Sequence, residues 1–295
     1  MFPRAMEGRR WGRAVLACSL AAVTCALAPA GAPAAVERDE RLLPDHRIVG
    51  LYGMPGKPTL GALGRHSWRG AHERVRRMAA EHRTTSRPTV RAYEAIATLA
   101  TREAGRDGTY SRPVSLIVLA GWLEQARRAD ARLILDLQPG RADALEQARA
   151  LEPLLREPDV HLALDPEWEL GPGQRHRKGR VGSMSGAEID GIAEWLDGLA
   201  AEEGLAQKLL LVHRFQASMV REPGRIGEHE RVAVVMSMDG HGTRGAKRAR
   251  YEDLAATTPD LYGGMMLFQS RDSGGLFTPF QLRRLDPAPD LIFVQ

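Results

Sequence analysis

Cysteine is nearly missing from this 295-residue chain: there are two, Cys18 and Cys25, both near its start. Beyond them no thiol remains for a disulfide, a thiolate metal site or a cysteine nucleophile. Lysine is scarce as well, four of the 41 basic residues, and the arginine and alanine bias reads as the mark of a GC-rich genome rather than of a function. No apolar run approaches the ~20 residues that span a bilayer. The chain lacks H-E-x-x-H, G-x-S-x-G and the phosphate-cradling P-loop, and no H-x-H follows its first apolar run, which argues against zincins, elbow-type serine hydrolases, P-loop enzymes and amidohydrolase-type metal barrels. No metal site and no cofactor is expected, the less favoured alternative being a divalent cation held by scattered Asp and His side chains. What is present, 43% apolar and 26% charged residues, is the composition of a globular protein.

The first 34 residues read differently from the rest. Arg4, Arg9, Arg10 and Arg13 precede an apolar run from Ala14 to Leu27, and small residues follow up to Ala32-Pro33-Ala34. A charged start, a short apolar middle and an A-x-A end make a secretory signal peptide over 1–34, with residues 35–46 as an N-terminal extension of the mature chain. The expected location is therefore secreted and extracellular. Lipid attachment through Cys25 at the outer face of the membrane is the alternative, although Ala22-Val23-Thr24-Cys25 is a poor lipobox. Removing residues 1–34 takes away four arginines and Glu7, so the formal charge falls from +4 to about +1. With that the electrostatic case for a nucleic-acid partner disappears. No transmembrane helix is expected in the mature chain, and the sequence carries no signal of oligomeric state.

From Arg47 onward short β-rich runs alternate with helical patterns. The runs are Ile48–Tyr52, Thr89–Ala95, Leu133–Leu137, Val160–Asp165, Leu209–His213, Val232–Met238, Met265–Phe268 and Leu291–Val294. Several are almost continuously apolar, as strands covered on both faces are. Between them Ser185–Gly204 carries Ile189, Ile192, Ala193, Leu196 and Leu199 at helical spacing, with Ser185 and Glu188 placed as a capping box. Arg141–Pro158, Ser115–Asp130, Ala71–His82, Arg244–Leu254 and a short Pro279–Leu285 read as helices too. Eight such units over 47–295, roughly 31 residues each, predict a single-domain α/β protein, a (β/α)8 TIM-type barrel. A doubly wound open sheet is the alternative, but Gly50–Gly56 has no G-x-G-x-x-G.

Such barrels build their sites at the C-terminal strand ends, where this chain places polar residues. Asp165-Pro166-Glu167 ends the fourth run. If it continued as strand, the two carboxyls would share a face, and mutual repulsion would keep one protonated near neutral pH. A protonated carboxylic acid beside an ionised one suits cleavage of a glycosidic bond. Glu167 is the expected general acid, Asp165 tunes it or positions substrate, and Asp136 is the expected third catalytic carboxylate. Glu94, His213, Gln216, Asp239 and Gln269 are expected to line the substrate site, with Trp168 and Tyr52 (and Trp68) as stacking platforms for sugar rings. The basic stretch Arg175–Arg180 reads as a solvated loop, and Thr101–Pro113 as a flap.

The segments Leu133–Gly140, Leu162–Trp168, Leu210–His213 and Met238-Asp239-Gly240 resemble a group of exported actinobacterial proteins of unknown function, secreted or lipoprotein barrels, over most of 47–295. That resemblance implies export and no particular activity. The Asp165-x-Glu167 pair is also remotely similar to the acidic pair on the fourth strand of chitinase-like and lysozyme-like barrel glycosidases. This implies Glu167 as the acid and an acetamido-bearing sugar beside Asp165. Val160 and Ala163 stand where the chitinase pattern has Asp, and Gly50, Leu51 and Tyr52 where the lysozyme-type barrels carry one. The expected function is an exported glycoside hydrolase acting on a cell-envelope or environmental polysaccharide. The alternative is a non-catalytic barrel that binds an envelope glycan.

Overall fold

Parallel strands that are covered on both sides need apolar residues at odd and even positions alike, and all eight expected runs form such strands. The structure, a computed structural model, describes residues 41–295. The signal peptide at 1–34, the start of the extension at 35–46 and both cysteines lie outside the described residues. The strands are β1 (Arg47–Gly53), β2 (Thr89–Ala100), β3 (Ala131–Leu137), β4 (Val160–Leu164), β5 (Lys208–Arg214), β6 (Val232–Met238), β7 (Tyr262–Leu267) and β8 (Leu291–Val294). Each pairs in parallel with its chain neighbour, and β1 pairs with both β2 and β8, which closes the ring. The chain is a closed eight-stranded (β/α)8 barrel, not an open sheet.

The two-residue side-chain period divides the core in two. One set, including Ile48, Ala92, Ile134, Ala163, Leu211, Val235, Met266 and Phe293, fills the barrel interior. The other, including Leu51, Tyr93, Leu133, Leu162, Leu210 and Val234, faces the helices. Leu42 and Leu43, from the end of the N-terminal extension, join the interior set. Gln207, next to the start of β5, holds Leu43 by accepting from its backbone N–H and donating to its carbonyl, at 2.8 and 3.1 Å. Gly50 faces inward, where a Cβ would lie 2.3 Å from the Phe293 ring.

The outer layer contains α1 (Trp68–His82), α2 (Leu116–Arg128), α3 (Ala144–Ala150), α4 (Gly186–Glu202), α5 (Arg244–Ala255) and α6 (Pro279–Leu282). The capping box read at Ser185 and Glu188 is present at the start of α4. One departure has a clear cause. The expected Arg141–Pro158 helix begins only after the Asp143 N-cap and splits at Leu151, with Pro153 opening a separate turn over Glu152–Leu155. The β5–β6 link carries no α-helix; it holds 3-10 turns at Ala217–Met219 and Pro223–Arg225 on either side of a two-residue strand, Val220–Arg221, that pairs with Met184–Ser185, and Glu222 is in the left-handed region at φ 48°. Among the described residues no helix is long and apolar enough to cross a membrane.

Candidate active site

Near the C-terminal ends of the strands, the inward positions change from hydrocarbon to polar groups. Two residues above Ile134 and Leu211 stand Asp136 and His213, while Glu94 and Tyr52 face in from β2 and β1, directly paired in register. The Glu94 and Asp136 side chains are completely buried and His213 is 2% exposed. His213 Nε2 lies 2.5 Å from Glu94 Oε1, and its Nδ1 lies 3.8 Å from Asp239 Oδ2. Tyr52 donates its hydroxyl to Asp136 Oδ2 at 3.2 Å and accepts from Gln138 Nε2 at 3.4 Å. Its ring meets His213 edge-on at 5.9 Å between centroids. One oxygen each of Glu94 and Asp136 and a ring nitrogen of His213 lie within 4.8 Å of one another, a set able to hold a metal ion.

Asp165 and Glu167 are arranged differently from the strand reading. β4 ends at Leu164, and Pro166–Trp168 turns as a 3-10 helix. Proline fixes φ and removes a donor, so the ladder cannot continue through it. The two carboxyls are consequently separated by depth. Asp165 is buried, its Oδ2 accepting from the Trp168 indole at 2.9 Å. Glu167 is half-buried at the rim, and among the described residues no side-chain hydrogen bond ties its carboxyl. Three residues past the end of β4, it stands at the mouth, where Asp239, His213 and Arg271 act on its charge.

Burial governs proton affinity here. It is the main cause that carries the Asp136 carboxyl up to about 8, opposed by His213 and helped by Glu94. Asp165 is raised well above its ordinary range by burial, then by Glu167 and Asp136. Glu167 is pushed up to about 7 by burial and the Asp239 charge, with His213 and Arg271 opposing. Asp239 reaches about 6 through burial against the pull of His213. Burial alone would lower the His213 value, but the contacting Glu94 carboxylate, aided by Asp239 and Asp165, overrides it, and the imidazole is held well above its ordinary range. Near neutrality the mouth thus contains a partly protonated Glu167, a mostly ionised Asp239 and an imidazolium between them and Glu94.

The remaining expected residues fall into place unevenly. Asp136, expected to be catalytic, is completely buried with Tyr52 bonded to it, beneath any surface a substrate could touch. Trp168 directs its N–H at Asp165, and its ring packs edge-on against His176 at 5.5 Å. Trp68 belongs to α1 and meets Tyr93 on the helix side of the barrel. Gln216 is exposed and donates to Ser218 Oγ at 2.9 Å, and Gln269 is exposed with its amide facing the Arg74 guanidinium. Neither is linked to the acidic cluster. In the basic loop Arg175, Arg177 and Lys178 are exposed. The flap is pinned at Thr109, whose carbonyl accepts from Arg141 N at 2.6 Å.

Sequence reasoning passed over Gln138 and Lys247. Gln138 bridges Tyr52 and the Ala100 N–H. Lys247 on α5 donates to Asp272 Oδ2 at 2.7 Å and to the Met266 carbonyl at 2.8 Å, both side chains being 1% exposed. Asp272 in turn accepts from Phe268 N and Gly242 N, so this pair ties the loops after β6 and β7 together beside Asp239. A lysine on a helix gives no local sign of this.

No protein-family model matches the chain, and no curated protein matches it. Among solved structures it is similar to a provisionally assigned orotidine-monophosphate-decarboxylase from Toxoplasma gondii, at 14% identity over 84% of this chain and 82% of that one, with a TM-score of 0.30. A likeness this slight bears on neither substrate nor reaction.

Proposed function

We propose that this barrel is a glycoside hydrolase acting on a cell-envelope or environmental polysaccharide, with Glu167 as the general acid. The observation that carries the reading is the state of Glu167: a half-buried carboxyl at the mouth, without a side-chain hydrogen bond among the described residues, holding its proton up to about 7. Asp239, near enough for its charge to raise that proton affinity and itself titrating at about 6, is the ionised partner. Burial raises both carboxyls, Glu167 further than Asp239, and a pair in which one carboxyl holds its proton longer than the other is what acid-assisted glycosidic cleavage requires. Glu167 protonates the leaving oxygen, and Asp239 activates water or meets the developing cation. This partner replaces Asp136, whose depth keeps it from substrate. Export through the segment 1–34 belongs to the same proposal, since a wall glycan lies outside the membrane.

The test is reducing-sugar release from a panel of purified bacterial wall glycans. Glu167→Gln is expected to lower turnover at least a hundredfold while leaving the melting temperature within about 2 °C. Retained turnover in Glu167→Gln overturns the assignment. Glycan binding by the wild type with no cleavage of any panel member would instead favour a non-catalytic, glycan-binding barrel.

A further inference from the structure

Beneath Glu167 the floor of the mouth holds more carboxylate than its donors account for. Glu94 Oε2 and Asp136 Oδ1 have no hydrogen-bond partner although both side chains are completely buried, and Asp165 Oδ1 close by is likewise alone. A buried oxygen left without a donor is costly, and a cation is one way to satisfy several at once. We propose that Glu94, Asp136 and His213 bind one divalent transition-metal ion, Zn2+ or Mn2+, at the floor of the barrel mouth.

The ligand atoms, all within 4.8 Å of one another, come from three rigid strands, β2, β3 and β5. Two carboxylates and an imidazole suit these ions better than Ca2+ or Mg2+, which prefer oxygen alone. The surroundings supply orientation. Tyr52 holds Asp136 by Oδ2, leaving Oδ1 for the ion, and Asp239 stands 3.8 Å from Nδ1, where it steadies the ring while Nε2 is the ligand. Metal–ligand distances of about 2.0–2.2 Å set ligand atoms roughly 3 Å apart. Nε2 and Glu94 Oε1, now at 2.5 Å, therefore separate slightly, and on binding the proton between them and the proton that Asp136 holds both leave to solvent. The ion lies below the rim, so this inference does not depend on the role of Glu167.

The test is titration of chelator-stripped protein with ZnCl2 and MnCl2 by calorimetry and thermal shift, with MgCl2 and CaCl2 for comparison. One equivalent of Zn2+ or Mn2+ per chain is expected, with a rise in melting temperature of roughly 5 °C or more at a hundredfold excess over Kd. Glu94→Gln and Asp136→Asn should each weaken binding at least tenfold, and Glu167→Gln should not. Absence of binding by the wild type, or binding that survives both floor substitutions, overturns the proposal. Where a floor variant fails to fold, X-ray absorption of the wild-type Zn2+ complex decides: one imidazole with oxygen ligands upholds the site, and several imidazoles or none overturn it. Glycan cleavage measured in chelator separates this result from the hydrolase reading, because loss of either leaves the other standing.

Discussion

Replacing Lys247 with methionine would test whether the loops around the mouth are held by a buried ion pair or only by packing. The Lys247 and Asp272 side chains are each 1% exposed and meet at 2.7 Å. Removing the cation leaves a carboxylate in a dry site with only the Phe268 and Gly242 N–H groups as donors. It also removes the donor to the Met266 carbonyl and the ammonium 5.1 Å above the Phe268 ring. Breaking a buried pair from one side costs about 3–5 kcal/mol, far more than an exposed pair is worth. For a domain of this size each kcal/mol lowers the melting temperature by about 2–4 °C, so Lys247→Met should lose roughly 10 °C or more. Asp272→Asn on the same background relieves the stranded charge, and the double variant should recover a good part of the loss. Calorimetry of the wild type, both single variants and the double variant closes the cycle. A Lys247→Met loss below about 1 kcal/mol, or strictly additive singles, would refute the reasoning.

Three further outcomes follow from the same geometry. Turnover should require protonated Glu167 and ionised Asp239, giving an optimum between about 6 and 7 with a tenfold loss per pH unit well above it; a rate that holds constant to pH 9 contradicts the assignment. Glu167 binds its proton more tightly folded, at about 7, than at the ordinary 4.5, so its contribution to stability declines as pH rises across that interval. Melting curves of Glu167→Gln should accordingly fall less steeply between pH 5 and 8 than those of the wild type. Gly50→Ala places a methyl 2.3 Å from the Phe293 ring and 2.4 Å from the Ala92 carbonyl, and should cost about 1–3 kcal/mol in denaturant unfolding through overpacking alone.

The barrel strands were legible in the sequence because their environment writes itself locally. Runs such as Leu209–Val212 and Val232–Met236 are apolar at every position, and Ser185 with Glu188 announces a helix start within four residues. The site was legible as a list of strand-end residues but not as an arrangement. Glu94 and His213 are 119 positions apart, and only closure of the ring and the β register bring them together. The two-residue period misled at Asp165 and Glu167, where Pro166 converts strand to turn and sends one carboxyl down and the other to the rim. Trp168 looked like a platform for sugars because nothing local reveals that its N–H is bound to Asp165. Lys247 and Asp272 escaped for the same reason as Glu94 and His213: their pairing is tertiary.

Burial together with neighbouring charge, rather than any motif, differentiates the carboxyls. Asp136, completely buried, keeps its proton up to about 8, half-buried Glu167 up to about 7, and Asp239, whose burial is opposed by His213 and a backbone hydrogen bond, up to about 6. The hydrocarbon layer one step below, with Ile134, Ala163, Leu211 and Val235, keeps water from reaching the floor from beneath and so withholds the solvation that an anion needs. A bare D-x-E on an exposed loop would have two ordinary carboxylates, both ionised at neutral pH. Here Glu167 faces Asp239 rather than acting with Asp165, and a proton donor and an anion coexist over one hollow because burial and the charge of His213 act on the two to different extents. The chemistry proposed for Glu167 is for that reason a property of the closed ring: whatever opens the barrel interior to water should relieve the burial that raises both carboxyls and bring Glu167 and Asp239 back toward the same ionised state.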